Sequence, residues 1–143
     1  MNSIKYLEEL KRKVDEIPET SLSLQEQNIM KFLKRELEKE LELFIQTEKN
    51  FEEKKWEGLL SNLFQILQRT NAIYWFLLRP EVSSTLVGSK IAGIIDEIVN
   101  ILSYSVSEII MKIKLNIKEI GIDSITINIS ATPPSITLSI TMK

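Results

Sequence analysis

No cysteine and no histidine occur in the chain. Without cysteine there is no disulfide, no thiolate metal site and no thiol nucleophile. Without histidine, the commonest metal ligand and the side chain best suited to moving protons near neutral pH are both missing. Glycine is scarce: Gly58, Gly88, Gly93 and Gly121 are the four. None of them builds a phosphate loop, because Gly88 and Gly93 lead into Ile94 and lack the lysine such a loop needs. Ser103, Ser105 and Ser107 have neither a histidine base nor the glycines of a nucleophile elbow around them. The chain therefore reads as no enzyme, with no catalytic residue, no metal ligand and no cofactor.

Long uncharged apolar runs are absent too. A membrane span needs about 18 such residues. The nearest stretch, Ile91 to Ile110, carries Asp96, Glu97 and Glu108. The first residues, from Met1 to Glu9, lack the apolar centre of a signal peptide. A soluble cytoplasmic protein is expected, in the host cytoplasm or the virion if the source is viral. The net charge of −2 gives no overall basic field for nucleic acid. Residues 1–57 hold 11 basic and 14 acidic side chains, interleaved. Nucleic acid is thus possible as a partner but not favoured.

What is present is helical periodicity. The 143 residues suffice for one domain. From Leu86 to Ile120 apolar residues recur in steps of three and four, from Val87 and Ile91 through Ile113 to Ile120. This predicts one helix, about 50 Å long at the usual rise per residue, capped by Ser83, Ser84 or Thr85 and stopped by Gly121. Upstream, Ser3 caps a helix that Pro18 ends. Ser23-Leu24-Gln25-Glu26 reads as a capping box opening a second helix to about Lys49. Its apolar line is Met30, Leu33, Leu37, Leu41, Phe44 and Ile45; Glu36, Glu38, Glu40 and Glu42 fall with the lysines on a charged face. A break near Asn50 precedes a third, aromatic-rich helix over residues 51–78, which includes Trp56 and Phe64. Continuity of the second and third helices is the alternative. Arg79-Pro80 ends the third helix, and Glu81 to Thr85 reads as a polar loop.

After Gly121 the period changes from 3.6 to 2. Ile125, Ile127 and Ile129 alternate with Thr126, Asn128 and Ser130; Ile136, Leu138, Ile140 and Met142 alternate with Thr137, Ser139 and Thr141. With Ala131-Thr132-Pro133-Pro134 as the turn, this is a β-hairpin with one apolar and one hydroxyl face. The expected fold is mainly α: about four helices in an elongated antiparallel bundle over residues 1–121, with a hairpin over residues 122–143 appended to the same domain. A lone hairpin is marginal in water, so its apolar face must rest on a helix or on a second copy. Its edges invite pairing.

Three groups are candidates for interaction. Three consecutive aromatics, Tyr74-Trp75-Phe76, cannot all face one side of a helix; Trp75 is the best candidate for exposure, with Tyr74 beside it. Lys112, Lys114 and Lys118 form a basic end to the long helix. They suit either phosphate contact or simple placement of cations near a helix C-terminus. Ile136, Leu138 and Ile140 offer the hairpin's apolar face. Asp96 and Glu97 leave the isoleucine line and read as solvated, with too few oxygen ligands nearby for a metal.

The Ile/Lys/Glu-rich N-terminal half, the missing Cys and His, and the isoleucine-rich stretch Ile91 to Ile129 resemble the small helical proteins of hyperthermophilic archaeal viruses. Among these the chain is similar in size and character to the virion-protein family of the two-tailed Acidianus virus, one member of which inhibits host RNA polymerase. That resemblance implies a helical bundle acting as a structural or host-blocking protein through a protein partner or self-association. The order of helices then hairpin also resembles the small subunit of archaeal type I-A CRISPR complexes. That likeness implies a ribonucleoprotein role, with Lys112 to Lys118 on the nucleic-acid backbone.

Overall fold

Ser23 sets the start of the longest helix. Its hydroxyl accepts the Glu26 N–H at 3.1 Å, and the Glu26 carboxylate accepts the Ser23 N–H at 2.8 Å. Both halves of the capping box are thus formed. The second Glu26 oxygen accepts the hydroxyl of Ser89, so the same cap ties the helix to a loop far along the chain. Replacing Ser23 by alanine is expected to cost about 1 kcal/mol, read as a lowered midpoint in urea unfolding.

The computed structural model describes residues 1–131 and 134–143. Six α-helices lie among them: α1 (Asn2–Asp15), α2 (Leu24–Glu52), α3 (Trp56–Leu77), α4 (Pro80–Leu86), α5 (Ala92–Leu115) and α6 (Ile117–Ile120). Two strands follow, β1 (Ile122–Ala131) and β2 (Pro134–Met142). The fold is mainly helical with a C-terminal antiparallel hairpin. The helix α2 packs on both α1 and α3, α5 packs on α1 and α3, and β2 packs on α3. Leu7, Leu33, Phe44, Leu63, Ile66, Ile98 and Leu102 are among the fully buried side chains of this core.

The long fourth helix expected over Leu86 to Ile120 is interrupted at both ends. Gly88 has φ +70°, a left-handed conformation that stops α4 and that side chains with a Cβ adopt poorly. Val87, the first residue of the expected apolar line, is 84% exposed, and Val82, the buried residue of α4, falls about half a turn out of phase with Ile91. Asn116 breaks α5 from α6 by turning its amide back onto the Lys112 carbonyl at 2.8 Å. Glu81 to Thr85 is helix and not loop. Pro80 occupies its first turn, where a missing N–H costs nothing, and Thr85 donates to the Glu81 carbonyl at 2.8 Å. The break after α2 falls past Asn50, at Lys54, whose φ is 56°, and Lys55 is the N-cap residue of α3.

Two further expectations change. Glu36 and Glu40, assigned to the charged face of α2, are buried. Because α2 has neighbours on two sides, a second stripe through Ile29, Leu33, Glu36, Glu40, Leu43 and Thr47 is covered as well. Conversely, Ile45 and Phe64 are exposed although they sit in expected apolar lines.

The hairpin register pairs Ile125 with Ile140, Ile127 with Leu138 and Ile129 with Ile136. A bulge between Ile122 and Ser124 leaves Asp123 as the extra residue, which lets both Ile122 and Ile125 be buried. Of the expected turn, Ala131 and Pro134 pair as the last rung; Thr132 and Pro133 lie outside the described residues.

Candidate interaction surfaces

The first surface is the seam between α3, α5 and the hairpin. Asn71 on α3 presents its side-chain amide to the edge of β2. Its Nδ2 donates to the Ile136 carbonyl at 2.8 Å, and its Oδ1 accepts the Ile136 N–H at 2.8 Å. The amide therefore acts as one rung of a third strand. One turn along α3, the Tyr74 hydroxyl lies 2.6 Å from the Ser103 hydroxyl of α5. Burial pushes the Tyr74 phenol above its ordinary range; the bond to Ser103 works against this, and nearby Glu40 adds to it. Tyr74, Leu77, Leu78, Val99, Ser103 and Ile136 line a cleft of about 300 Å³.

The sequence candidates separate on this frame. Tyr74 and Ile136 meet at the cleft, and both are buried. Trp75 is 54% exposed. Leu138 and Ile140 are half-buried and pack against the core. The lysines lie elsewhere. Lys112 sits over the Phe51 ring, its ammonium 4.6 Å from the centroid, while Lys114 and Lys118 are exposed. Acids stand close to this basic end: Glu119 on α6 pairs with Lys54 at 2.8 Å. Asp96 is exposed, and Glu97 pairs across to Lys13 at 2.7 Å.

The second surface is one that periodicity alone does not single out. Where α1 meets α5, Met1, Asn2, Tyr104, Ser107, Met111, Lys112 and Leu115 line an open groove of about 610 Å³. Met111 is 59% and Leu115 79% exposed, and the exposed Tyr6 ring lies 5.6 Å from Tyr104. Glu108 anchors the wall. It accepts the Ser3 N–H at 3.1 Å, the Ser3 hydroxyl at 2.9 Å and the Tyr104 hydroxyl at 2.9 Å. Burial works against its charge, but these donated bonds win and hold the carboxyl below its ordinary value. Residues 104, 107, 111 and 115 follow helical spacing on the side of α5 opposite its isoleucines. That spacing is a sequence signal, but it becomes a surface only once α1 is known to lie alongside and contribute Tyr6.

Among the described residues no group of three or more acidic, His or Cys side chains is arranged to hold a metal ion, and no helix is long and apolar enough to cross a membrane. Comparison with protein-family models, with curated proteins and with solved structures finds no match for this chain.

Proposed function

We propose that the protein is a non-catalytic interaction module that docks a protein partner on the α1/α5 face. The observation that carries this reading is the contiguous exposed set Tyr6, Tyr104, Met111 and Leu115. Aromatic and methionine side chains are enriched in interfaces, and a joined apolar patch is unusual on a surface that meets only water. In this reading α1, α2, α3 and α5 form an elongated antiparallel bundle, the hairpin belongs to the same domain, and function is occupancy: no bond is made or broken. A viral structural or host-blocking factor, such as one that occupies RNA polymerase, is the specific form of the proposal. The ribonucleoprotein alternative has less support, because Lys112 is engaged with Phe51 and Glu119 stands close to Lys118 in sequence.

The test is capture from nuclease-treated lysate of the source organism. A protein partner is expected to be retained by the native chain and lost when Met111→Glu and Leu115→Glu are combined, a weakening of at least tenfold. Lys114→Glu with Lys118→Glu should leave capture unchanged. Loss of every partner on nuclease treatment, or loss with the lysine pair alone, would overturn the reading in favour of nucleic acid.

A further inference from the structure

The hairpin has two edges, and they are treated differently. In an antiparallel ladder each residue turns both its N–H and its C=O to the same side, alternating along the strand. Asn71 takes both groups of Ile136, so Ile136 faces away from β1. By alternation Leu138 and Ile140 face the same way. Their partners in the register, Ile129, Ile127 and Ile125, must then turn their backbone groups outward from β1. The β2 edge is closed at Ile136 by Asn71 and lies against α3; the principal contacts of β1 beyond the hairpin are with α6, which immediately precedes it. Among the described residues no hydrogen bond reaches the outward groups of Ile125, Ile127 and Ile129.

Proteins ordinarily protect such an edge with lysine, an inward charge, proline or a bulge. Here the bulge lies at the base of the strand, before Ser124. Residues 124–142 carry no charge, and no proline interrupts residues 122–131. We propose that the β1 edge is a self-association site, whose occupant is β1 of a second copy of this chain, giving a four-stranded sheet in the order β2-β1-β1-β2.

A second copy is favoured over a foreign strand by the symmetry of the sequence about Ile127. Antiparallel pairing about a two-fold axis there sets Ile127 opposite itself and Ile125 opposite the partner's Ile129. It also sets Thr126 opposite the partner's Asn128, and Ser124 opposite the partner's Ser130. From Ser124 to Ser130 each rung joins like with like in polarity, as an isologous contact requires. Identical strands bearing charge near the axis would repel; the one charge of β1, Asp123, lies in the bulge at its base, four residues from the axis. The outward groups would make about six backbone hydrogen bonds, two for each facing pair. A neighbouring copy would also extend cover over Ile127, which is only half-buried in the single chain.

The site is separate from the α1/α5 face, so its test leaves that surface untouched. Sedimentation equilibrium of the full chain across a wide concentration range should give the mass of two chains. Thr126→Lys with Asn128→Lys changes only exposed side chains and brings like charges together across the axis, so the mass should fall by half. Mixing this variant with Thr126→Glu/Asn128→Glu should restore the two-chain mass, since each lysine then meets a glutamate. Amide exchange gives an independent readout on the native chain. The N–H groups of Ile125, Ile127 and Ile129 should be protected at high concentration and exchange rapidly on dilution, while those of Thr126 and Asn128 stay slow. A single-chain mass at every concentration, a dimer indifferent to the lysine pair, or failure of the mixture to restore it would each overturn the proposal.

Discussion

Replacing Asn71 by alanine is expected to detach the hairpin from α3. The amide is a bidentate partner of Ile136, with both contacts at 2.8 Å, and the Ile136 side chain is buried. Truncation leaves a buried N–H and a buried C=O without partners. Each costs about 1–3 kcal/mol when orphaned, so a loss of about 2–4 kcal/mol is expected after some water enters the seam. That exceeds what an exposed two-stranded ribbon can sustain by itself. The expected result is regional: amides of residues 135–142 lose protection against exchange, while α1, α2 and the centre of α3 keep theirs. Asn71→Asp separates the two bonds. Its carboxylate still accepts the Ile136 N–H but offers no donor to the carbonyl, and it sets negative charge against it. It should therefore be about as damaging as alanine despite its near-identical size. A hairpin that keeps its protection in both variants would show that apolar contact through Ile125 and Ile136 holds it without the amide.

Asn71 also marks the limit of what could be read beforehand. A period of two with isoleucine on one side makes the hairpin plain, and Pro18, Pro80 and the Ser23–Glu26 box mark their boundaries locally. Such signals lie within a few residues of what they determine. An asparagine on a helix that completes a strand edge 65 positions away has no local trace. The break at Gly88 is hidden for a different reason: Val87 stands at helical spacing from Ile91, so an apolar side chain that in fact meets solvent reads as part of the core line. Of the interaction candidates, exposure of Trp75 followed from the geometry of three successive aromatics. The groove between α1 and α5 depended on which helices are neighbours, a long-range fact. Glu36 and Glu40 read as surface in the sequence because a glutamate counts as exposed unless neighbours flank its helix on two sides, as α1 and α3 flank α2.

Glu40 carries the second large effect, and it is a dependence on pH. Its side chain is 0% exposed. One oxygen accepts the Thr70 hydroxyl at 3.2 Å, and the other has no partner. Burial pushes its pKa up from 4.5 to about 8; the Thr70 bond opposes this, the charge of Glu36 reinforces it, and Arg69, itself 3.1 Å from Glu36, opposes it. Folded Glu40 therefore holds a proton at neutral pH that the unfolded chain releases. Between those two values the native state binds more protons, so stability falls as pH rises. The contribution is constant below the lower value, declines through the interval, and is flat again above about 8. The whole decline amounts to about 4–5 kcal/mol as an upper limit. Glu40→Gln isolates it: the amide keeps the oxygen that Thr70 binds, places its nitrogen where the unpartnered oxygen stands, and never ionises. Near pH 4.5 the variant should match the native chain, and near pH 9 it should be more stable by several kcal/mol. Guanidinium unfolding followed by circular dichroism at both values measures this difference, and titrations common to both proteins cancel. Parallel stability profiles for the two proteins would mean that the Glu40 carboxylate finds water or a cation on ionising, and that the contact between α2 and α3 opens readily enough to admit it.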